Sequence, residues 1–230
     1  MAASGLSIGL ILFPKLTQLD LMGPLEVFSR VPNASVHLLW KDTKPVASDK
    51  GFAIVPTMSF ADCPKLDVIC VPGGPGQVDL MDDQETLDFL RRVAPDCRWV
   101  TSVCTGSLVL GAAGLLKGYK ATCHWGSIDQ LSLLGVEPVP ERIVRDRNRM
   151  TGGGVTSGID FALALVSEMV GRETAEAIQL QLEYDPKPPF NAGTPRTAPL
   201  GVLTEVKAKM ADFIAKRRAA TEKAAKALAQ

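Results

Sequence analysis

The chain has 230 residues, 46% of them apolar, and its 25 basic and 25 acidic side chains leave a formal net charge of zero. That length fits one domain, or one domain with an appendage, and the apolar fraction suffices for a buried core. Balanced charge argues against nucleic acid as the main partner, which calls for a basic surface, and no stretch approaches the roughly 20 apolar residues of a membrane span.

The first residues, Met1 to Ser7, carry no basic segment. The apolar run Ile8 to Phe13 is too short for a signal core, and Pro14 ends it. A soluble, unprocessed protein is expected. Along the chain, β-rich apolar runs predict strands at Ser7–Phe13, Val36–Lys41, Phe52–Val55, Asp67–Val71, Trp99–Val103 and Arg142–Asp146. Helical patterns fall at Asp20–Arg30, Gln84–Ala94, Thr105–Ala113, Gly126–Leu134, Thr156–Val170, Arg172–Glu183 and Leu200–Leu228. Unbroken runs such as Val68 to Val71 suit strands buried on both faces. The alternation predicts an α/β fold with a mostly parallel central sheet and helices on both faces. In such sheets ligands bind at the carboxyl ends of the strands.

The segment from Asp185 to Pro195 is proline-rich and reads as an ordered connector or interface loop. Beyond it, from Lys207 to the end, lie seven basic and two acidic residues in an Ala/Lys/Arg-rich helix. A basic helix can touch a membrane or nucleic acid. Here a solvated helix packed on the domain or on a partner subunit is the expectation. The division is therefore an α/β domain over residues 1–199 and a C-terminal helical extension over 200–230.

Five cysteines (63, 70, 97, 104 and 123) form no Cys-x-x-Cys pair, so no metal site and no redox dithiol are predicted. A reducing cytoplasm is the simplest setting. Cys70, inside a strand, reads as structural. Cys104 differs. The strand Trp99–Val103 stops abruptly, small residues follow (Thr105, Gly106, Ser107), and a helical run begins. Such a strand-to-helix turn presents its middle side chain at the top of the sheet. A helix N-terminus there favours thiolate over thiol. The alternative is a buried structural cysteine.

Three segments are placed to converge on Cys104. Asp20 follows the first strand among apolar neighbours; it serves either as the N-cap of the next helix or as a carboxylic acid whose pKa is raised by burial and a neighbouring sulfur. Gly73 and Gly74 form either a plain tight turn or a pair of N–H donors to a developing anion. His124 is a better candidate base than His37, which sits mid-strand, but it has no evident Asp or Asn orienter and is otherwise structural. Finally, Thr151 to Gly154 holds three consecutive glycines before a long apolar helix. Gly153 is expected either to sit in a glycine turn or to let that helix shift as the charge on Cys104 changes.

Taken together, these motifs resemble the ThiJ/PfpI superfamily over about Ser7 to Pro199. The carriers are Leu66-Asp-Val-Ile-Cys-Val-Pro-Gly-Gly74, Val100-Thr-Ser-Val-Cys-Thr-Gly-Ser-Leu-Val-Leu-Gly111, Thr122-Cys-His-Trp125, Met150-Thr-Gly-Gly-Gly154 and Leu182 to Phe190. Within it the chain is most similar to the branch that hydrates isonitriles, through Gln18-Leu-Asp-Leu-Met-Gly-Pro24, Ser59 to Pro64 and Gln181-Leu-Glu-Tyr184. The resemblance implies a flavodoxin-like, class I glutamine amidotransferase-like sandwich. It implies Cys104 as nucleophile and Asp20 as acid and base in forming and hydrolysing a thioimidate. Thr105 and the Gly74 amide would position that intermediate. It also implies an isonitrile substrate, no metal or organic cofactor, and a homodimer. Cys123 departs from the threonine expected before His-Trp. Other members of the superfamily suggest glyoxalase or deglycase chemistry, which usually has Glu at the position of Asp20. A redox-sensing cysteine is another alternative. Related regulators add a helix-turn-helix domain, for which the residues after Pro199 are too few.

Overall fold

The computed structural model describes residues 5–229. The elements in chain order are β1 (Ser7–Ile11), α1 (Gln18–Phe28), β2 (Ser35–Trp40), β3 (Val46–Ala47), β4 (Ala53–Ile54), β5 (Met58–Ser59), β6 (Val68–Val71), α2 (Gln77–Leu80) and α3 (Gln84–Val93). There follow β7 (Trp99–Val103), α4 (Gly106–Ala112), β8 (Lys120–Ala121), β9 (Glu137–Pro138), β10 (Ile143–Asp146), β11 (Arg149–Gly152), α5 (Ser157–Met169), α6 (Arg172–Gln181) and α7 (Leu200–Leu228).

Seven strands form the central sheet in the order β10-β11-β7-β6-β1-β2-β5. Every neighbouring pair is parallel except β10 with β11 at the edge. The two central strands, β6 and β7, are buried along their whole length. That is why Val68-Ile-Cys-Val71 is unbroken in apolar residues: helices cover both of its faces. Helices α1, α5 and α6 pack together as one layer, and α2, α3, α4 and α7 as the other.

The sheet differs from the sequence expectation at three places, one of them the short edge strand β5, which was not expected. Phe52–Val55 was expected to be a strand; only Ala53–Ile54 is extended, and it pairs with β3 in a separate hairpin. Phe52 is 64% exposed there, and Pro56 ends the run. Conversely, β11 was not expected. Its sequence, Arg149-Met-Thr-Gly152, has no strand-like apolar run, yet it pairs in parallel with β7 from Arg149↔Val100 to Gly152↔Val103. Tertiary pairing overrides local pattern here. The expected helix Gly126–Leu134 is a 3-10 helix over Ile128–Leu134.

One close approach at the centre depends on a single glycine. A Cβ on Gly106, the first residue of α4, would sit 2.0 Å from the carbonyl oxygen of Val71 at the end of β6. Backbone cannot yield as a side-chain tip would. Gly106→Ala is therefore expected to destabilise the fold by about 3 kcal/mol or more, at the severe end of single substitutions, read as a lowered midpoint in urea unfolding.

Helix α7 does not stand free. It packs on α2, α4 and the Ile128–Leu134 helix. Thr221 donates to Gln130 Oε1 at 2.9 Å, and Lys223 and Arg218 pair with Asp82 and Asp129. Among the described residues no helix is long and apolar enough to cross a membrane.

Candidate active site

Strand β7 ends at Val103, and Cys104 follows with φ +57°, a left-handed conformation that side-chain-bearing residues rarely adopt. The turn is held from both sides: the Cys104 N–H donates to the Gly152 carbonyl at 3.0 Å, and the Thr105 N–H points at the thiol. Strain at a non-glycine residue persists only where the surroundings fix it, and it clusters at functional positions. Cys104 is 5% exposed, at the carboxyl edge of the sheet.

Asp20 lies against the Cys104 thiol. Helix α1 begins two residues earlier than expected, with Thr17 at its N-cap, so Asp20 falls within the first turn. Its side chain is not a cap. Oδ2 accepts the Gly73 N–H at 2.9 Å, and Oδ1 is buried without a hydrogen-bond partner in the protein. Burial raises the carboxyl to about 7, an effect partly offset by the Cys104 and Gly73 contacts. Burial and the adjacent Asp20 carboxyl likewise push the Cys104 thiol up. Near neutral pH the carboxyl is therefore partly ionised beside a protonated thiol.

The two glycines expected as anion donors are engaged inside the protein. The Gly73 N–H goes to Asp20, and the Gly74 N–H donates to Thr105 Oγ1 at 3.1 Å. Neither position has room for a side chain. A Cβ on Gly73 would meet the Thr105 nitrogen at 2.6 Å and Asp20 Oδ2 at 2.7 Å. At Gly74, φ +139° and a Cβ 2.3 Å from the Thr17 nitrogen require glycine. The loop is a clamp: its two N–H groups fix the Asp20 carboxyl and the Thr105 hydroxyl beside the elbow.

His124 is half-buried in the turn after β8, and its ring is neutral. Burial, helped by the Arg217 guanidinium, pulls its pKa down to about 4. Nδ1 accepts the Gly126 N–H at 3.2 Å, which leaves the proton on Nε2. Gly153 lies between β11 and α5, its N–H bound to the Arg142 carbonyl at 2.9 Å. A Cβ there would make ordinary contacts, at 3.4 Å and beyond, whereas one on Gly152 would meet Ser157 Oγ at 2.7 Å. Steric demand in the glycine run thus falls on Gly152.

Arg217 was not foreseen. It reaches from α7 to Gln77 and Ser127, far along the chain from the elbow. The only sequence trace is the spacing of Arg217, Thr221 and Ala224, the three residues α7 buries along one face. With two polar members, that stripe does not read as a core-facing one.

The model of the DJ-1/PfpI family matches residues 6–168. The chain is 56% identical over 220 residues to an isonitrile hydratase of Pseudomonas putida, covering 96% of each. It is 31% identical over 187 residues to an HTH-type transcriptional regulator of Pseudomonas aeruginosa, covering 78% of this chain and 51% of the regulator. A solved ThiJ/PfpI family protein from Pseudomonas syringae superposes with a TM-score of 0.92 at 46% identity, covering 94% of this chain and 90% of that one. With the matched span running from β1 through most of α5 and enclosing the cysteine elbow, the chain belongs to the DJ-1/PfpI family.

Proposed function

We propose that the protein adds water to isonitriles to give N-substituted formamides, with Cys104 as nucleophile and Asp20 as general acid and base. The observation that carries the reading is the carboxyl against the elbow thiol, with one oxygen anchored by Gly73 and the other without a partner. The similarity to the hydratase of Pseudomonas putida supports the same chemistry.

The terminal carbon of an isonitrile, R–N≡C, accepts a nucleophile and, in the same step, needs a proton. The Cys104 sulfur forms the S–C bond while Asp20 delivers its proton to that carbon. The product is a thioimidate, R–N=CH–S–Cys104, beside an Asp20 carboxylate. The carboxylate then takes a proton from water as the hydroxide adds to the same carbon, and passes that proton to nitrogen. Collapse of the resulting R–NH–CH(OH)–S–Cys104 forms the C=O bond, expels the Cys104 thiolate and returns the hydroxyl proton to Asp20. One group acts as acid, then as base. In this reading Thr105, bound by the Gly74 N–H, and neutral His124 position the intermediate. Gly73 holds the acid, and Gly153 lies at the start of the segment leading into α5. The chain's own side chains suffice for every proton transfer.

A second copy of the chain fits the exposed apolar residues Leu180, Phe190, Leu200, Val202 and Val206 around the proline-rich loop and the start of α7, so a homodimer is part of the proposal. Five free cysteines suit a reducing cytoplasm. The test is to incubate the protein with an alkyl or aryl isonitrile and follow formamide by mass spectrometry. Formamide formed well above the protein-free rate is the expected result. No formamide, with turnover of methylglyoxal in its place, would transfer the site to glyoxalase chemistry.

A further inference from the structure

The mechanism leaves one buried cation unused. Arg217, in the middle of α7, is 5% exposed. Its Nε donates to Gln77 Oε1 at 2.8 Å and its Nη1 to Ser127 Oγ at 2.8 Å, while its guanidinium lies 4.7 Å from the centre of the Phe213 ring. Both acceptors are neutral. A buried charge held only by neutral groups is unfavourable, and an apolar side chain of similar volume would pack there better. Stability of α7 therefore does not account for an arginine at this place. Its planar fork does what an apolar residue cannot: it binds two separate segments in one fixed geometry.

Each arm leads by hydrogen bonds to a loop of the site. On one side the Gln77 N–H donates to the Gly74 carbonyl at 3.2 Å, and the Gly74 N–H donates to Thr105 Oγ1 at 3.1 Å. Gly73, the neighbouring residue, holds Asp20 through its N–H at 2.9 Å. An unbroken set of bonds thus runs from Arg217 to the residue after Cys104. On the other side the Ser127 N–H donates to the His124 carbonyl at 2.9 Å, and His124 Nδ1 accepts the Gly126 N–H at 3.2 Å. Gly126 lies against α7: a Cβ there would meet Met210 at 3.2 Å and Ile214 at 3.3 Å. The helix is packed on the turn that Arg217 holds.

We propose that Arg217 is a positioning residue of the active site: by bonding Gln77 and Ser127 at once, it ties the Gly73-Gly74 clamp to the His124 turn, and through the clamp it sets Asp20 and Thr105 at the elbow. It touches no reacting atom. The inference deepens the reading of Cys104 and Asp20 as nucleophile and acid–base group, and rests on it. It makes the C-terminal helix, which lies beyond the span shared with the family, a working part of the site.

The test uses the full chain with Arg217→Met, Arg217→Lys, Gln77→Met and Arg218→Met, each checked for folding by circular dichroism. Two quantities are read. One is kcat and KM for formamide production from an alkyl isonitrile. The other is the titration midpoint of the Asp20 carboxyl, by carbon NMR of protein isotopically labelled at aspartate, its signal assigned by absence in Asp20→Asn. The titratable groups facing Asp20 are Cys104 and Asp49, which every test variant retains. Arg217→Met and Gln77→Met are each expected to lower kcat about tenfold while KM changes less than about threefold, since a small misplacement of reacting groups acts on the chemical step. The Gly73 bond favours the carboxylate, so loosening it moves the midpoint up from about 7 by about half a pH unit in both. Gln77→Met leaves the guanidinium in place, so a loss there reports the bond and not the charge. Combining Arg217→Met with Gln77→Met adds nothing to the larger single loss, because both cut the same arm. Arg217→Lys keeps the charge without the fork and recovers less than about half of the lost kcat. Arg218→Met breaks only the surface pair with Asp129 and leaves both quantities as in the wild type.

Wild-type kcat and midpoint in folded Arg217→Met or Gln77→Met would overturn the proposal, as would equal losses in Arg218→Met or full recovery in Arg217→Lys. If Arg217→Met does not fold, Gln77→Met decides alone. Failure of the nucleophile reading shows separately, as full turnover by Cys104→Ala, and the Asp20 midpoint is read without any turnover.

Discussion

Cys104→Ala is expected to lower kcat/KM for an isonitrile by on the order of 10⁴-fold or more, the scale on which removal of a covalent nucleophile acts. The sulfur is the atom that forms and releases the bond to carbon, and Cys123, the other thiol near the pocket, sits on a different turn and lacks the strained backbone of the elbow. The fold itself should change little. Alanine inherits the same φ of +57°, and only one buried sulfur is lost. Formamide production is the measurement, with circular dichroism as the check on folding. Turnover at the wild-type rate in the alanine variant would remove the thioimidate from the mechanism.

Asp20→Asn is expected to cost about 10²- to 10⁴-fold in kcat, the usual range for a general acid–base group. The amide fills the same space and can accept the Gly73 N–H, but it delivers no proton to carbon. The pH dependence is equally specific. Asp20 is raised to about 7 and the Cys104 thiol lies well above its usual value, so the pair loses its first proton near pH 7 and its second far higher. With one proton left on the pair it rests on the sulfur, and the reactive form is reached by moving that proton from the thiol to the Asp20 carboxylate. Wild-type kcat/KM should therefore rise as pH climbs through about 7 and hold until the second proton leaves; a profile that falls through 7 would contradict the assignment. Stability carries the opposite signature. In the unfolded chain Asp20 titrates near 3.8, and in the folded protein near 7, so folding favours its protonated form. That contribution is complete below about 3.8 and is lost as pH rises to about 7, a change of up to about 4 kcal/mol at about 1.4 kcal/mol per pKa unit. The asparagine variant has no such loss. Its melting temperature should exceed that of the wild type at pH 8, and the gap should close toward pH 4.

How much of this was legible in the sequence differs from residue to residue. The strand Trp99–Val103 and the small residues after Cys104 marked the elbow, because a tight strand-to-helix turn has local chemistry. Helix α7 was bounded at Leu200–Leu228 as observed, since a long Ala/Lys/Arg run without breakers fixes a helix whatever it packs against. Asp20 was recognised as a candidate, but its choice between helix cap and buried acid was open: that choice depends on Gly73, 53 residues away, whose N–H holds Oδ2. Gly73 and Gly74 were open between a tight turn and a pair of anion donors, and in the fold their N–H groups donate to Asp20 and Thr105. A sequence says that glycine permits close approach, not what approaches.

The sequence alone determined the alternation of strands and helices, the mostly parallel sheet they build, and the cysteine at its carboxyl edge, because periodicity, punctuation and residue size act over a few neighbours. The tertiary structure decided what surrounds that cysteine. It made β11 a strand by pairing it with β7, turned His124 into a neutral ring by burying it, and brought Arg217 from the far end of the chain to hydrogen-bond Gln77 and Ser127. Each of these outcomes depends on desolvation or on pairing between distant segments, and neither is written in any local stretch of residues.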